Sequence, residues 1–308
     1  MTVIKGTTIT SEELAEAYLE QLKERHDNPD QWRGLQFGHA ELDEITGGIR
    51  KGEFVVLAGA QKSGKTSAAL DWAQRLSKQV QEDELVLFVS LEMSHDSLAG
   101  RVMSNLSDIE ITKFRDYKLE SDDWNKVERG ANKLKKLPVL WNMGAYSIEG
   151  LEQIVEEYGT RIRLVVVDYF QLMFGNGNRN SKRFEQLEEI SSRLKRLTLN
   201  YDLSVIALSQ QNREALKSIE RQKDPNTMAG TQALARDCDL LLLILPYMQD
   251  GEEVPHMRKL HIALARNSTV GVTMDAVFSG SYCRFGAPAN MEVVGMPEEE
   301  EREQYWNR

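Results

Sequence analysis

Residues 59–66 read GAQKSGKT, a glycine, four residues, a second glycine, and then lysine and threonine. The apolar run FVVLA leads into this octet and the helical pattern TSAALDWAQRL leads out of it. A strand and a helix joined by a glycine-bounded loop turn backbone N–H groups inward, onto an anion. Gly59, Ala60, Gln61, Lys62, Ser63, Gly64, Lys65, Thr66 and Ser67 are therefore the expected cradle for the phosphates of ATP. Lys65 is expected on the β- and γ-phosphates, and the Thr66 hydroxyl on Mg²⁺.

Such a loop needs a sheet to hold it. From residue 53 onward the runs FVVLA, LVLFVS, LPVLW, RLVVVDYFQLM, LSVIALSQ and DLLLLILP alternate with helical patterns. Those patterns fall at about 65–79, 95–106, 121–136, 148–158, 183–200 and 229–237. Strands apolar on both faces and separated by helices predict an α/β fold, a parallel sheet covered on both sides. Right-handed crossovers then bring every strand's C-terminal end to one edge, where ligands bind in open α/β sheets. The later stretch KLHIALARNSTVGVTMDAVFSGSYCRF alternates more and carries turn residues, which predicts antiparallel strands extending the sheet. No internal repeat is visible.

The ligand edge collects polar side chains. Asp168 closes the apolar run RLVVVD, in place to hold Mg²⁺ beside Thr66. An aspartate at a strand end is by itself more often a helix cap; the phosphate loop tips this one toward metal. Glu92, in SLEMS after LVLFVS, is placed to orient and deprotonate an attacking water, a surface or capping glutamate being the plain alternative. Gln210 ends LSVIALSQ, a neutral amide suited to sensing a γ-phosphate. Three strands delivering polar residues to one loop predict hydrolysis rather than passive binding.

The net charge of −10 and pI near 5.2 exclude a generic basic nucleic-acid coat. Any DNA or RNA contact must come from local basic loops, and two stand out: FGNGNRNSKR (174–183) and NREALKSIERQKDPNTMAG (212–230). Cys238 and Cys283 form no CxxC, and no HExxH occurs, so neither a disulfide framework nor a zinc site is expected. No signal peptide is apparent and LLLLILP is too short to span a bilayer, which predicts a soluble cytoplasmic protein.

Residues 1–33 read as an amphipathic helix with a polar tail. Thr10 or Ser11 can cap it, Glu12 and Glu13 fill its first turn, and Lys23, Arg25 and His26 lie near its end. Leu14, Tyr18, Leu19 and Leu22 share one face. The closing PEEEEREQYWNR reads as an acidic, disordered tail, or as a partner-recruiting segment anchored by Tyr305 and Trp306.

SLEMS, VVVDYFQLM, KRFEQLEEISSRLKRL and VIALSQQNR resemble, in order and spacing, the C-terminal motor domain of DnaB-type replicative helicases. So does GLQFGHAELDEITGGIRKGEFVVLAG, and the resemblance runs over residues 34–286. It implies a RecA-like P-loop ATPase core that assembles as a hexameric ring, hydrolyses ATP between subunits and translocates on single-stranded DNA. Lys65 and Thr66 would be its Walker A residues, Glu92 its catalytic glutamate, Asp168 its Walker B aspartate and Gln210 its coupling glutamine. The family's finger is a lysine, one spacer and an arginine; here Arg266 stands with Leu264 at the lysine position. Its DNA loops would correspond to Arg179, Lys182 and Arg183, and to Arg213, Gly230, Thr231 and Gln232. The segment MAGTQ lacks the arginine usual in the second loop.

The resemblance divides the chain into a linker-type helix (1–33), the ATPase domain (34–290) and the tail (291–308). Only the helix at 11–26 precedes the motor, without the family's N-terminal collar, and it resembles the linker that docks on an adjacent subunit. Primase or a helicase loader is the implied partner, with no membrane. A RecA-type nucleotide-switched DNA-binding or recombination-mediator ATPase stays open as the alternative, favoured by Leu264 and the missing loop arginine.

Overall fold

The computed structural model describes residues 8–144, 146–175, 183–211 and 232–288. Among the described residues nine strands form one sheet in the order β3-β2-β4-β5-β1-β6-β7-β8-β9. The six strands β1 (Phe54–Gly59), β2 (Leu85–Ser90), β3 (Val139–Asn142), β4 (Ile162–Asp168), β5 (Ser204–Gln210) and β6 (Leu240–Gln249) are mutually parallel. They match the six apolar runs, and β1 and β4 are buried along their whole length. Burial on both faces is what their unbroken Val, Leu and Ile content requires.

The remaining strands β7 (Glu252–Ala265), β8 (Thr273–Ser279) and β9 (Arg284–Gly286) add antiparallel to β6. Within the run from 163 to 173 the strand ends at Asp168, as expected, and Phe170–Leu172 form a tight 3-10 turn. One expectation needs correcting here. The run ending at Pro246 continues as strand to Gln249 and returns through a hairpin whose turn residues, Asp250 and Gly251, both have positive φ. Asp-Gly in a two-residue turn matches the right-handed twist of the strands it joins. Pro246 is tolerated because the ladder shifts register between Pro246 and Met248.

The helices among the described residues are α1 (Ser11–Asp27), α2 (Ala40–Thr46), α3 (Lys65–Leu76), α4 (His95–Ser107), α5 (Ile111–Arg115), α6 (Asp123–Leu134), α7 (Ile148–Tyr158), α8 (Arg183–Tyr201) and α9 (Gln232–Asp237). One face of the sheet packs on α7, α8 and α9 through Leu151, Val155, Ile190, Leu194 and Leu234. The other packs on α2, α3 and α4, where Trp72 meets Phe37 and Phe285 edge-on at 4.7 and 6.2 Å. The short α2 and α5 were not foreseen from sequence. No helix among the described residues is long and apolar enough to cross a membrane.

α1 starts where expected. Thr10 accepts from the Glu13 N–H at 3.2 Å while Glu13 takes the Thr10 N–H at 2.7 Å, a reciprocal cap. The helix buries none of its residues: Leu14, Tyr18, Leu19 and Leu22 are 57%, 54%, 57% and 40% exposed.

Candidate nucleotide site and its far-edge arginine

Gly59 ends β1 between Gln210 on β5 and Ile244 on β6, so the phosphate loop springs from the middle strand of the nine-stranded sheet. Gly64 adopts φ +102°, and a Cβ there would lie 2.9 Å from the Phe278 ring. Only glycine suits that combination of backbone and neighbour. No side chain caps the N-terminus of α3, which leaves its first N–H groups for a ligand.

Lys65 is 8% exposed and its ammonium donates to the carbonyls of Gly59 at 3.0 Å and Ala60 at 2.8 Å. Burial pulls its pKa down to about 8 against the opposing pull of Asp168 and Glu92. The Thr66 hydroxyl donates to Asp168 Oδ1 at 3.3 Å, which joins the two expected metal ligands across 102 residues of chain. Asp168 is 1% exposed and burial raises its pKa to about 6, with Glu92 adding to the rise and Thr66 and Lys65 opposing it.

The second carboxylate oxygen of Asp168 has no hydrogen-bond partner, and the buried hydroxyls of Ser63 and Ser90 share that condition. Ser90 is the β2 residue in register with Asp168. Buried oxygens without partners are costly unless a ligand or ion completes them. A hydroxyl and a carboxylate are the hard oxygen donors Mg²⁺ takes, alongside water and phosphate. These residues fit Mg²⁺.

Glu92 lies exposed just after β2, close enough that its charge is felt at Lys65, Asp168 and Tyr169. Gln210 is exposed at the end of β5, and the next residue, Gln211, donates its N–H to the Gly59 carbonyl at 3.0 Å. Lys65, Thr66, Glu92, Asp168 and Gln210 thus gather at one sheet edge.

Arg266 does not join them. It follows Ala265, which pairs with Leu240, itself level with Val55 at the start of β1. The arginine therefore sits at the opposite edge, about five residues or roughly 16–17 Å of strand away from Gly59. There it donates to the carbonyls of Cys238 and Arg236 at 3.1 and 2.8 Å and stands 3.6 Å from Asp239, with its side chain 53% exposed. Leu264 packs against the core beside β6, which accounts for an apolar residue at that position.

Among the expected DNA contacts, Arg183 is described. It opens α8 with its guanidinium on the carbonyls of Gln171 at 2.6 Å and Met173 at 2.9 Å, and over the Phe174 ring at 5.8 Å. Arg179, Lys182, Arg213, Gly230 and Thr231 lie outside the described residues, as do the side chain of Gln232, at the start of α9, and the tail with Tyr305 and Trp306.

Two supports of the site were missed. Arg258 on β7 is 5% exposed and donates through Nε to the Ser63 carbonyl at 3.1 Å. It also lies 5.0 Å from the centre of the Phe278 ring that covers Gly64. Removing it leaves a loop carbonyl unpaired, a loss of about 1–3 kcal/mol. Gln171, in the turn after β4, accepts from the Gln210 N–H at 3.1 Å and donates to Ser209 Oγ at 2.8 Å and the Gln210 carbonyl at 3.1 Å.

Comparison with known proteins fits this geometry. A probable replicative DNA helicase of Trieres chinensis is 30% identical over 262 residues, covering 82% of this chain and 57% of the relative. The replicative DNA helicase DnaB of Geobacillus stearothermophilus is 28% identical over 275 residues, covering 84% and 58% respectively. The chain thus spans a little over half the length of these relatives. A solved DnaB-like replicative helicase, studied with its interactions with primase, superposes with a TM-score of 0.74 at 25% identity, over 87% of this chain and 67% of that one. With residues 34–287 matching the family described as the DnaB-like helicase C-terminal domain, the chain belongs to that family.

Proposed function

We propose that the chain is the motor of a ring-shaped replicative helicase that hydrolyses ATP between subunits and moves along single-stranded DNA. The separation of Arg266 from its own phosphate loop carries this reading. A transition-state arginine held at the far edge of the sheet reaches a nucleotide only on a neighbouring copy. A closed ring, six subunits in the reading here, gives every copy such a neighbour.

In this mechanism the loop N–H groups and Lys65 hold the β- and γ-phosphates of ATP. Thr66 and Asp168 hold Mg²⁺, which when bound neutralises charge on the phosphate oxygens. Glu92 orients a water in line with the γ-phosphorus and takes its proton. The water oxygen bonds to the γ-phosphorus as the bond from that phosphorus to the bridging oxygen breaks, giving phosphate and ADP, and Arg266 of the next subunit offsets the negative charge on the leaving ADP. Gln210 reports the presence of the γ-phosphate. Arg179, Lys182, Arg213, Gly230, Thr231 and Gln232 meet the DNA backbone. The exposed apolar face of α1, within the linker-type segment 1–33, docks on an adjacent subunit; primase or a loader is the proposed partner of the assembled ring.

Steady-state ATP hydrolysis with and without single-stranded DNA, followed by unwinding of a forked duplex, tests the reading. Several-fold stimulation and strand separation are expected. ATP binding with no response to DNA points instead to a nucleotide-switched mediator.

The kcat/KM for ATP is expected to follow a bell. Asp168 below about pH 6 is protonated and loses its hold on Mg²⁺, so the acid limb falls there. Lys65 above about pH 8 loses the charge that attracts phosphate, so the alkaline limb falls there. The Lys65→Arg variant, which cannot lose its proton, should lack the alkaline limb in whatever activity it retains.

A further inference from the structure

The geometry points to Gln171 as a positioning residue that transmits the state of Gln210 to the root of the basic 174–183 segment, with Arg183 as its strut. The inference rests on the helicase reading above and names how its nucleotide and DNA sites are joined.

The amide of Gln171 is matched to a single backbone unit. Its oxygen accepts the Gln210 N–H at 3.1 Å while its nitrogen donates to the Gln210 carbonyl at 3.1 Å and to Ser209 Oγ at 2.8 Å. A side-chain amide that both accepts from and donates to one residue's main chain acts as an extra rung of ladder, fixed in orientation as well as distance. Gln210 therefore cannot shift along the strand axis without carrying Gln171 or breaking this pair.

From Gln171 the contact continues through its own carbonyl. Arg183 Nη2 binds that oxygen at 2.6 Å and the Met173 carbonyl at 2.9 Å, and Nη1 binds Gln186 Oε1 at 3.0 Å one turn into α8. One guanidinium thus joins the turn after β4 to the start of α8. On the opposite side, the Gly59 carbonyl takes the N–H of Gln211, the residue after Gln210, at 3.0 Å and the Lys65 ammonium at 3.0 Å. An unbroken polar path runs from the phosphate loop through Gln211, Gln210 and Gln171 to Arg183.

The path makes a sharp distinction about Arg183. Three of the five N–H donors of this guanidinium, both on Nη2 and one on Nη1, are engaged by two main-chain carbonyls and a side chain, which fixes its orientation on the turn after β4. Arg183 acts here as a brace for the basic segment, and its loss should alter the response of DNA binding to nucleotide rather than DNA binding as such. Gln171 acts through Gln210 and touches no reacting atom.

The test measures the affinity of the full chain for a fluorescent oligothymidylate with a non-hydrolysable ATP analogue and with ADP, beside direct nucleotide binding. For the unaltered chain the two affinities should differ at least about tenfold, a coupling within the usual range. In Gln171→Leu that ratio should fall toward one while analogue binding stays within about threefold of the unaltered chain. Gln171→Glu, which keeps the acceptor and loses the donor, should give an intermediate ratio. Arg183→Met, altering an exposed side chain, carries the same expectation should Gln171→Leu not fold.

A Gln171→Leu chain that binds nucleotide and keeps the full ratio overturns the inference and leaves the helicase reading standing. So does an Arg183→Met chain whose DNA affinity drops equally in both nucleotide states, since that marks a direct phosphate contact. Absence of any ratio in the unaltered chain removes the helicase reading and this inference together.

Discussion

Lys65→Ala should lower ATP hydrolysis by at least about 10²–10³-fold and leave the melting temperature almost where it was. Both halves follow from the same surroundings. The ammonium is the buried cation of the phosphate loop, and its removal strips charge stabilisation from the position where the transferred phosphoryl group develops negative charge. The same ammonium is a charge held out of water, as its lowered pKa near 8 records. Its two acceptors do not depend on it: the Gly59 carbonyl also takes the Gln211 N–H at 3.0 Å, and the Ala60 carbonyl takes the Ser63 N–H at 3.2 Å. Lost hydrogen bonds and relieved desolvation therefore roughly offset, and a stability change within about 1 kcal/mol is expected. Phosphate release and thermal melts on the same preparation check it. Wild-type turnover in the variant ends the assignment of this loop, and a collapsed melting temperature would move Lys65 from chemistry to structure.

The contrast between that residue and its neighbours shows what can be read without coordinates. The parallel half of the sheet was legible because burial on both faces leaves a strand no polar positions, and LVLFVS or LLLLIL can be little else beside glycines and helical periods. α2 was not legible, because what holds it is tertiary: Asp43 gathers the N–H groups of Phe37, Gly38 and His39 at 2.7–3.1 Å, and Gly47 closes it at φ 70°. α5 likewise depends on the Ser281 carbonyl taking the N–H of Ile111 at 2.7 Å. The β6–β7 hairpin did leave a signal, since Asp250-Gly251 is a strong turn pair. The proline at 246 masked it by resembling a strand end.

For the site, the motif gave the loop and the strand ends gave Asp168, Glu92 and Gln210, because position along a parallel strand determines which edge a residue reaches. The supports had no such rule behind them. Arg258 meets Ser63 across 195 residues, and nothing local distinguishes it from any arginine on an exposed strand. Gln171 lies past the strand end at Asp168, in the apolar remainder of the run 163–173, where no motif marks it. Eleven residues exceed the usual strand length, and that excess was the available hint of a turn after Asp168. Arg183 was read from its place in the family's first DNA loop, and that resemblance does not reveal which of its donors main-chain carbonyls take.

Arg266→Ala should cut turnover by about 10³-fold or more with little change in ATP affinity, the mark of a group needed only in the transition state. Its decisive form is a mixture. A Lys65→Ala subunit cannot use its own pocket but still offers Arg266; an Arg266→Ala subunit has the complementary defect. Where the second supplies the pocket and the first the arginine, an interface is whole, and random mixing makes about a quarter of interfaces so. Two inactive proteins should therefore regain hydrolysis on mixing, provided subunits exchange. An arginine serving its own pocket predicts no recovery at any ratio. The strand register already argues against that, because β7 ends at Ala265 level with Val55, with Arg266 one residue beyond, while the phosphate loop lies past Gly59. Asp239 holds the arginine there, accepting as well the Phe54 N–H at 2.7 Å and the Lys195 ammonium at 2.6 Å. Asp239→Asn should consequently weaken the trans contribution in the same mixture without touching the pocket of its own subunit, since its bonds lie wholly at the far edge of the sheet.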